Sequence, residues 1–117
     1  MTHWMKLQAA PFEKIKSGSK TIELRLYDEK RRQIRVGDTI CFKGKAGTLT
    51  ATVKALHVFR NYEELYAALP LDKCGYAADG LATASPDDML TYYSREQIEK
   101  YGVVGIELEV VSCSEIQ

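Results

Sequence analysis

The sequence has few of the residues that metal sites and disulfide frameworks require. It contains two histidines and three cysteines, and the cysteines (Cys41, Cys74 and Cys113) are far apart and form no CxxC pair. An odd number of widely spaced cysteines without a neighbouring histidine argues against a zinc site and favours reduced thiols. We therefore expect neither a metal nor a cofactor.

Long hydrophobic runs are also absent. No segment approaches the roughly 20 apolar residues that cross a bilayer, and the start of the chain lacks the pattern of a signal peptide. With 45% apolar and 27% charged residues, the composition is ordinary for a globular protein. These features predict one domain over residues 1–117, in the cytoplasm and without a membrane partner.

The formal net charge is zero, but the charges are unevenly divided along the chain. Residues 1–60 contain 13 Lys/Arg and 5 Asp/Glu, a net charge of +8, whereas residues 61–117 contain 3 and 11, a net charge of −8. A basic half can attract a phosphate while the acidic half suppresses indiscriminate binding to polyanions. Alternatively, the two halves neutralise each other in the fold, and both interpretations stand.

Hydrophobic periodicity predicts strands separated by short helices. The stretch KTIELRLY alternates Ile22, Leu24 and Leu26 with polar residues, which indicates a strand with one buried face. Pro11 and Gly18 are placed to begin and end a helix before it. Two further strands follow, from TICFK through GKAG to a β-rich run, and the chain finishes with the strand-like VVGIELEVVS.

Capping residues predict three helices in the second half of the chain. Asn61 and Ser94 are suitable N-caps for NYEELYAAL and SREQIEKYG, and Ser85 before Pro86 begins a third helix. Residues 70–85 have mixed periodicity, which indicates a loop with a helical turn. This order of elements favours a small α+β domain on a curved or closed sheet, which we interpret as a small mixed barrel.

The charged residues around the predicted strand raise the question of where its polar face points. Glu23 and Arg25 are two residues apart and share a face, which looks outward or into a cleft. Strict alternation would place Lys20 on the apolar side instead. Lys20 can therefore meet Glu23 only if the regular strand begins later.

The stretches GSKTIELRLYDEKRRQIRVGDTICF and YYSREQIEKYGVVGIELE give the sequence a resemblance to a known family. From about residue 5 to residue 110, the chain resembles the ASCH family. The pattern consists of Gly18, Lys20, Thr21, Glu23, Arg25, Gly37 and Asp38. The resemblance implies a PUA-like small mixed β-barrel with short peripheral helices. It also implies a cleft, lined by the motif, that is suited to RNA or a nucleotide-like ligand.

The same resemblance raises the possibility of catalysis. Some relatives are amidohydrolases that deacetylate acetylcytidine with a lysine, a threonine and a glutamate. Their lysine corresponds to Lys20, but their threonine position holds Glu23. For their glutamate, this chain offers Asp79, Asp87 or Asp88. Other relatives look like ribonucleases or RNA-binding modules, and the motif does not rank these activities.

We predict ligand-binding residues from the motif, from the basic run after it and from one later tyrosine. A lysine can act as base or nucleophile, a carboxylate can accept from a base's amino edge, and a guanidinium can hold phosphate. The run EKRRQIR is either a hydrated loop or a set of phosphate contacts, which Lys43, Lys45 and Lys54 extend. Tyr93, like Trp4 and Tyr27, is either part of the core and its rim or a stacking partner for bases. The predicted set is Lys20, Thr21, Glu23, Arg25, Arg31, Arg32 and Tyr93, with Lys20 and Glu23 catalytic if the protein is an enzyme.

The preferred function is therefore binding of single-stranded or modified nucleotides in a charged cleft. The alternative is a metal-independent amidohydrolase acting on acetylcytidine-like nucleosides, or a ribonuclease. The expected partner is RNA or a nucleoside or nucleotide ligand. Whether the protein turns its ligand over, and whether it has protein partners, stays open at this point.

Overall fold

The computed structural model describes residues 1–115, whose regular elements alternate between strands and short helices. The strands and α-helices are β1 (Thr2–Lys6), α1 (Ala9–Ser17), β2 (Ile22–Leu26), β3 (Thr39–Gly44), β4 (Gly47–Phe59), α2 (Tyr62–Ala68), α3 (Arg95–Tyr101) and β5 (Val103–Glu115). Short 3₁₀ helices cover Arg31–Gln33, Ala78–Thr83 and Pro86–Thr91. Among these described elements, no helix is long and apolar enough to cross a membrane.

The five strands form one mixed sheet in the order β1-β3-β4-β5-β2. β1 runs parallel to β3, and the other neighbouring pairs are antiparallel. The sheet curls into a half-barrel with helices around it, so the predicted α+β class is confirmed. β1 and β2 are the two edges of this sheet and are not hydrogen-bonded to each other as strands.

Two side chains bridge the opening between the edge strands. Arg25 on β2 donates a hydrogen bond from Nη2 to the carbonyl oxygen of Lys6 at 2.8 Å. Lys30, which follows β2, donates from Nζ to the carbonyl oxygen of Trp4 at 2.7 Å. Cations therefore satisfy two edge carbonyls of β1 that point away from β3.

The buried apolar residues form two clusters. In one cluster, Phe12 and Ile15 of α1 pack with buried residues of β1, β3, β4 and β5. In the other, the apolar residues of β2 pack with Tyr62 and Leu65 of α2. Ile22, Leu24 and Leu26 are all buried, as the alternation predicts. The second cluster fixes α2 and the segments after it beside β2.

Local capping places the later helices where the sequence predicts them. The Asn61 side chain accepts from the backbone N–H of Glu64, and Ser94 forms a reciprocal capping box with Gln97. The segment that begins with Pro86 forms a 3₁₀ helix capped by Ser85. Residues 70–85 contain the expected helical turn, which is the 3₁₀ helix Ala78–Thr83.

The turn before β3 provides a pH-dependent contact. Asp38 Oδ2 lies 2.8 Å from His3 Nε2 and accepts from the backbone N–H of Arg35 at 3.1 Å. These two hydrogen bonds, the one from His3 first, lower the pKa of Asp38 from 3.8 to about 2. The ionised carboxylate of Asp38 thus stabilises the fold at pH values above its ordinary pKa of 3.8. That contribution is lost as the pH falls toward 2.

We expect Asp38→Asn to lower stability at neutral pH and to reduce the loss of stability between pH 4 and pH 2, the interval set by these pKa values. Urea unfolding at a series of pH values measures both effects. Asp79→Asn, at an exposed position, is the control. Parallel loss of stability in Asp38→Asn and the parent over that interval would contradict the role of Asp38.

Candidate functional site

A cleft with a volume of about 810 Å³ opens beside β2. Its walls come from the end of β1 and the start of α1, from β2, from Tyr66 on α2, and from residues 74–76 and 88–93. Ligand pockets in proteins commonly have volumes of about 300–1,000 Å³, so the cleft can hold a ligand of nucleotide size.

Three charged side chains meet in this cleft around a buried carboxylate. Glu23 is only 4% exposed. Lys20 Nζ lies 2.8 Å from Glu23 Oε1, while Arg25 approaches Oε2 with Nε at 2.8 Å and Nη2 at 2.7 Å. We call Lys20, Glu23 and Arg25 the charged triad. The sequence alone allowed an exposed ion pair of Glu23 with Arg25, but the structure buries the carboxylate.

The charged triad keeps Glu23 ionised despite its burial. Removal from water by itself raises the pKa of Glu23, but the positive charges of Lys20 and Arg25 and their hydrogen bonds outweigh this, and the pKa is lowered. Both carboxylate oxygens are engaged, so Glu23 orients the two cations. Two cations and one carboxylate leave an excess of one positive charge.

Lys20 reaches Glu23 because the regular strand begins after it. The backbone N–H groups of Thr21 and Ile22 both donate to the carbonyl of Lys73, at 2.9 and 3.0 Å, and β2 starts at Ile22. Lys20 is therefore outside the alternation that would place it on the apolar side. Its side chain passes Gly75, where an added Cβ would lie 3.2 Å from Lys20 Cδ.

A chain of hydroxyl groups forms another part of the wall. Tyr76 donates its hydroxyl proton to Asp88 Oδ2 at 2.6 Å, and the hydroxyls of Tyr66 and Tyr76 lie 2.7 Å apart. Burial, first among the causes, raises the pKa of both tyrosines, and the hydrogen bond from Tyr76 lowers the pKa of Asp88. The cleft thus contains neutral tyrosines beside an ionised aspartate.

The structure brings together four of the seven residues that we predicted to bind ligand. Lys20, Glu23, Arg25 and Tyr93 line the cleft. Thr21 instead lines a smaller depression of about 280 Å³.

Arg31 and Arg32 are engaged outside the lining of the cleft. Arg31 Nη1 binds Asp28 Oδ2 at 2.8 Å. Arg32 donates to the carbonyl oxygen of Tyr101 at 2.9 Å, with its guanidinium carbon 4.4 Å from the centre of the Tyr27 ring. The hydrogen bond of Arg32 thus connects the segment after β2 to the end of α3. Ligand contact by Arg31 and Arg32 remains a prediction.

Several cleft residues were missed by the sequence reasoning. Lys14 donates from Nζ to the carbonyl oxygen of Gly75 at 2.7 Å, which ties α1 to residues 70–85. Tyr66 and Tyr76 were also missed, because partners this distant in sequence leave no local pattern. Of the three aspartates considered for a third catalytic position, only Asp88 lines the cleft.

Metal ligands were not expected, and within residues 1–115 no group of three or more His, Cys, Asp or Glu side chains is arranged to hold a metal ion.

The curled mixed half-barrel with short helices is the PUA-like fold, so this chain belongs to the class of PUA-like proteins. The family model described as the ASCH domain matches residues 5–112. The chain therefore belongs to the ASCH family. Comparison with curated proteins finds no significant match.

Solved structures have the same fold. The crystal structure of the hypothetical protein PH0355 is 38% identical, with a TM-score of 0.81, over 95% of this chain and 100% of that one. The solution NMR structure of protein PF0455 from Pyrococcus furiosus is also 38% identical, with a TM-score of 0.72, over 96% and 99% of the two chains. ASCH from Zymomonas mobilis, at 15% identity and a TM-score of 0.64 over 98% of this chain and 72% of that one, shares the fold.

Proposed function

We propose that the cleft binds RNA or a nucleotide in single-stranded or modified form. The observation that carries this proposal is the charged triad, in which a buried carboxylate holds two cations inside a cleft of nucleotide size. Cations that are already oriented lose less conformational freedom on binding a phosphate than free surface lysines do.

The charge of the cleft favours an anionic ligand. Its lining includes four cationic side chains and two carboxylates, so two positive charges are in excess. The cations are Lys6, Lys14, Lys20 and Arg25, and the carboxylates are Glu23 and Asp88. Phosphate oxygens complement such an excess, and arginine can contact them through two N–H groups at once.

Tyrosines in the same cleft favour a ligand with an unpaired base. Tyr92 and Tyr93 both line the cleft, their ring centres are 6.5 Å apart, and Tyr92 is 59% exposed. Bases stack on aromatic side chains only when their faces are free, as in single strands or splayed nucleotides. The combination of phosphate-binding cations and tyrosines therefore supports single-stranded or modified nucleotides over a duplex.

A second candidate function is hydrolysis, because Lys20, Glu23 and Asp88 line one cleft. In a metal-independent amidohydrolase acting on acetylcytidine-like nucleosides, an unprotonated Lys20 would activate water or itself attack the acetyl carbonyl carbon. The amide C–N bond would then break, Glu23 would carry a proton to the departing amino group of the nucleoside, and water would release the acetyl group as acetate. In a ribonuclease, the same cations would stabilise the reacting phosphate. Both oxygens of Glu23 are already engaged by cations, and this favours binding over proton transfer.

Lys20→Ala tests the proposal. We expect its affinity for a short single-stranded RNA to fall about tenfold or more, since hydrogen bonds to charged groups contribute about 1.5–3 kcal/mol. Proton NMR titrations with acetylcytidine, cytidine and the RNA measure binding and turnover together. Lys100→Ala, on α3 and outside the cleft lining, is the matched control.

The titrations separate the two candidate functions. Broadened RNA signals without acetate support a binding module. An acetate signal that grows with the parent protein and not with Lys20→Ala establishes the amidohydrolase. Unchanged affinity in Lys20→Ala contradicts the proposed cleft.

A further inference from the structure

We infer that a single-stranded RNA longer than the cleft continues over the edge of the sheet and stacks a base on Trp4. This inference rests on the proposed function and adds a second contact surface to it. The surface consists of Trp4, Lys6, Lys30 and Lys43, and we call it the Trp4 patch.

The Trp4 patch begins at the cleft. Along β1, Thr2, Trp4 and Lys6 are exposed while His3 and Met5 are buried. Trp4 and Lys6 thus project from the same face, roughly 7 Å apart along the strand. Lys6 also lines the cleft, and its carbonyl oxygen accepts from Arg25 of the charged triad. A ligand that leaves the cleft past Lys6 therefore meets Trp4 within one step along β1.

Trp4 is presented as a stacking platform rather than a core residue. It is 52% exposed although it is the largest apolar side chain of the protein, and it is the only tryptophan in the sequence. Lys43 Nζ lies 5.0 Å from the centre of its ring, and Lys30 Nζ binds its carbonyl oxygen at 2.7 Å. One ammonium group therefore lies over the ring and a second lies at the backbone of the same residue.

The charges of the Trp4 patch favour RNA as its occupant. Lys6 pairs in register with Lys43 on β3, and among residues 1–115 no salt bridge involves Lys6, Lys30 or Lys43. An exposed aromatic ring among unpaired lysines matches the stacking platforms and basic grooves that track single strands. A second copy of the chain docking through the same patch would bring like charges together, and this disfavours self-association there.

The single tryptophan makes the inference directly measurable. Uridine monophosphate is small enough for the cleft, whose volume is about 810 Å³, whereas an octauridylate is long enough to extend from it to Trp4. We expect the octauridylate to quench tryptophan fluorescence and the mononucleotide to leave it unchanged. Calorimetry then compares variants, because Trp4→Ala removes the fluorophore.

Each variant isolates one element of the Trp4 patch. Trp4→Ala should weaken octauridylate binding by roughly 5- to 150-fold, the loss expected for one stacked base, and leave mononucleotide binding unchanged. Trp4→Phe should recover most of the loss. Lys43→Gln should reduce the slope of log affinity against log salt concentration for octauridylate by about 1, which corresponds to the loss of one phosphate contact. Lys100→Gln, on α3, should resemble the parent.

The outcomes distinguish this inference from the proposed function. If the mononucleotide binds and Lys20 is needed for it, but the octauridylate neither quenches Trp4 nor responds to Trp4→Ala and Lys43→Gln, the Trp4 patch is overturned and the cleft stands. If neither ligand binds, both fail. Self-association that Trp4→Ala abolishes would also overturn the inference, since a second copy would then occupy the patch.

Discussion

Glu23→Gln is expected to lower the free energy of unfolding by about 3–5 kcal/mol, the range for removing one partner of a buried ion pair. Glutamine has one acceptor oxygen and one amide nitrogen that can only donate. Either Lys20 or Arg25 would therefore face a donor, and two partly buried cations would lose their counter-charge. Urea unfolding at neutral pH measures the change.

An exposed pair provides the matched control for Glu23. Lys54 and Glu109 lie 3.3 Å apart, with side chains 53% and 67% exposed. Glu109→Gln should cost less than about 1 kcal/mol, because solvent screens exposed ion pairs. If Glu23→Gln costs no more than Glu109→Gln, the charged triad does not stabilise the fold as we describe.

The pH dependence of stability gives a second test of Glu23. Its folded pKa is lowered from the ordinary value of 4.5, so its ionisation stabilises the fold above that pH. The contribution is lost as the pH falls through the folded pKa. The parent should therefore lose more stability below pH 4.5, the ordinary value for this carboxyl, than Glu23→Gln does.

Gly75→Ala is expected to impair both the fold and the ligand site. Gly75 has a φ of 110°, which side chains rarely adopt, and the resulting strain costs about 1–3 kcal/mol. The added Cβ would also lie 3.2 Å from Lys20 Cδ and 3.5 Å from Lys20 Nζ. Displacing Lys20 from Glu23 should lower ligand affinity by about tenfold, the loss of one charged hydrogen bond.

Variants of two other glycines separate the effect of backbone strain from the effect of displacing Lys20. Gly37 has a φ of 93° with no atom within 4 Å of an added Cβ, so Gly37→Ala should lose stability and keep its affinity. Gly80 has no positive φ, and the nearest atom to its added Cβ is 4.0 Å away. Gly80→Ala should therefore keep both its stability and its ligand affinity. Unfolding curves and RNA titrations of the three variants together test this. Equal affinities for Gly75→Ala and Gly37→Ala would show that Lys20 is not displaced.

Local patterns in the sequence predicted the elements of the fold better than their contacts. Alternation identified the buried face of β2, and the caps at Asn61 and Ser94 identified α2 and α3, because these signals involve neighbours within a turn or a strand. Burial of Glu23 was not predictable from alternation, since it depends on Lys20 and Arg25 enclosing the carboxylate and on β5, where buried Ile106 lies opposite Glu23. From the sequence pattern alone, the face that carries Glu23 could point either outward or into a cleft.

The cleft shows the same limit. Lys20 can be placed beside Glu23 only if the first residue of β2 is known. That residue is determined by hydrogen bonds to the carbonyl of Lys73, which is far away in sequence. Tyr76 lies in a stretch that had no clear periodicity, yet it is hydrogen-bonded to Tyr66 and Asp88. Side chains whose partners come from separate elements carry no local signature.

The bridge between the two edge strands has a consequence for association. A strand edge with unoccupied carbonyls is a template on which another chain can add a strand, and proteins protect such edges with charged groups. Arg25 and Lys30 donate hydrogen bonds to the carbonyl oxygens of Lys6 and Trp4, so these oxygens are not available to an added strand at the edge of β1. Because Arg25 also belongs to the cleft, a phosphate that draws its guanidinium away from Lys6 would leave that part of the edge unguarded. Ligand binding and resistance to edge-to-edge aggregation are thereby linked through one side chain.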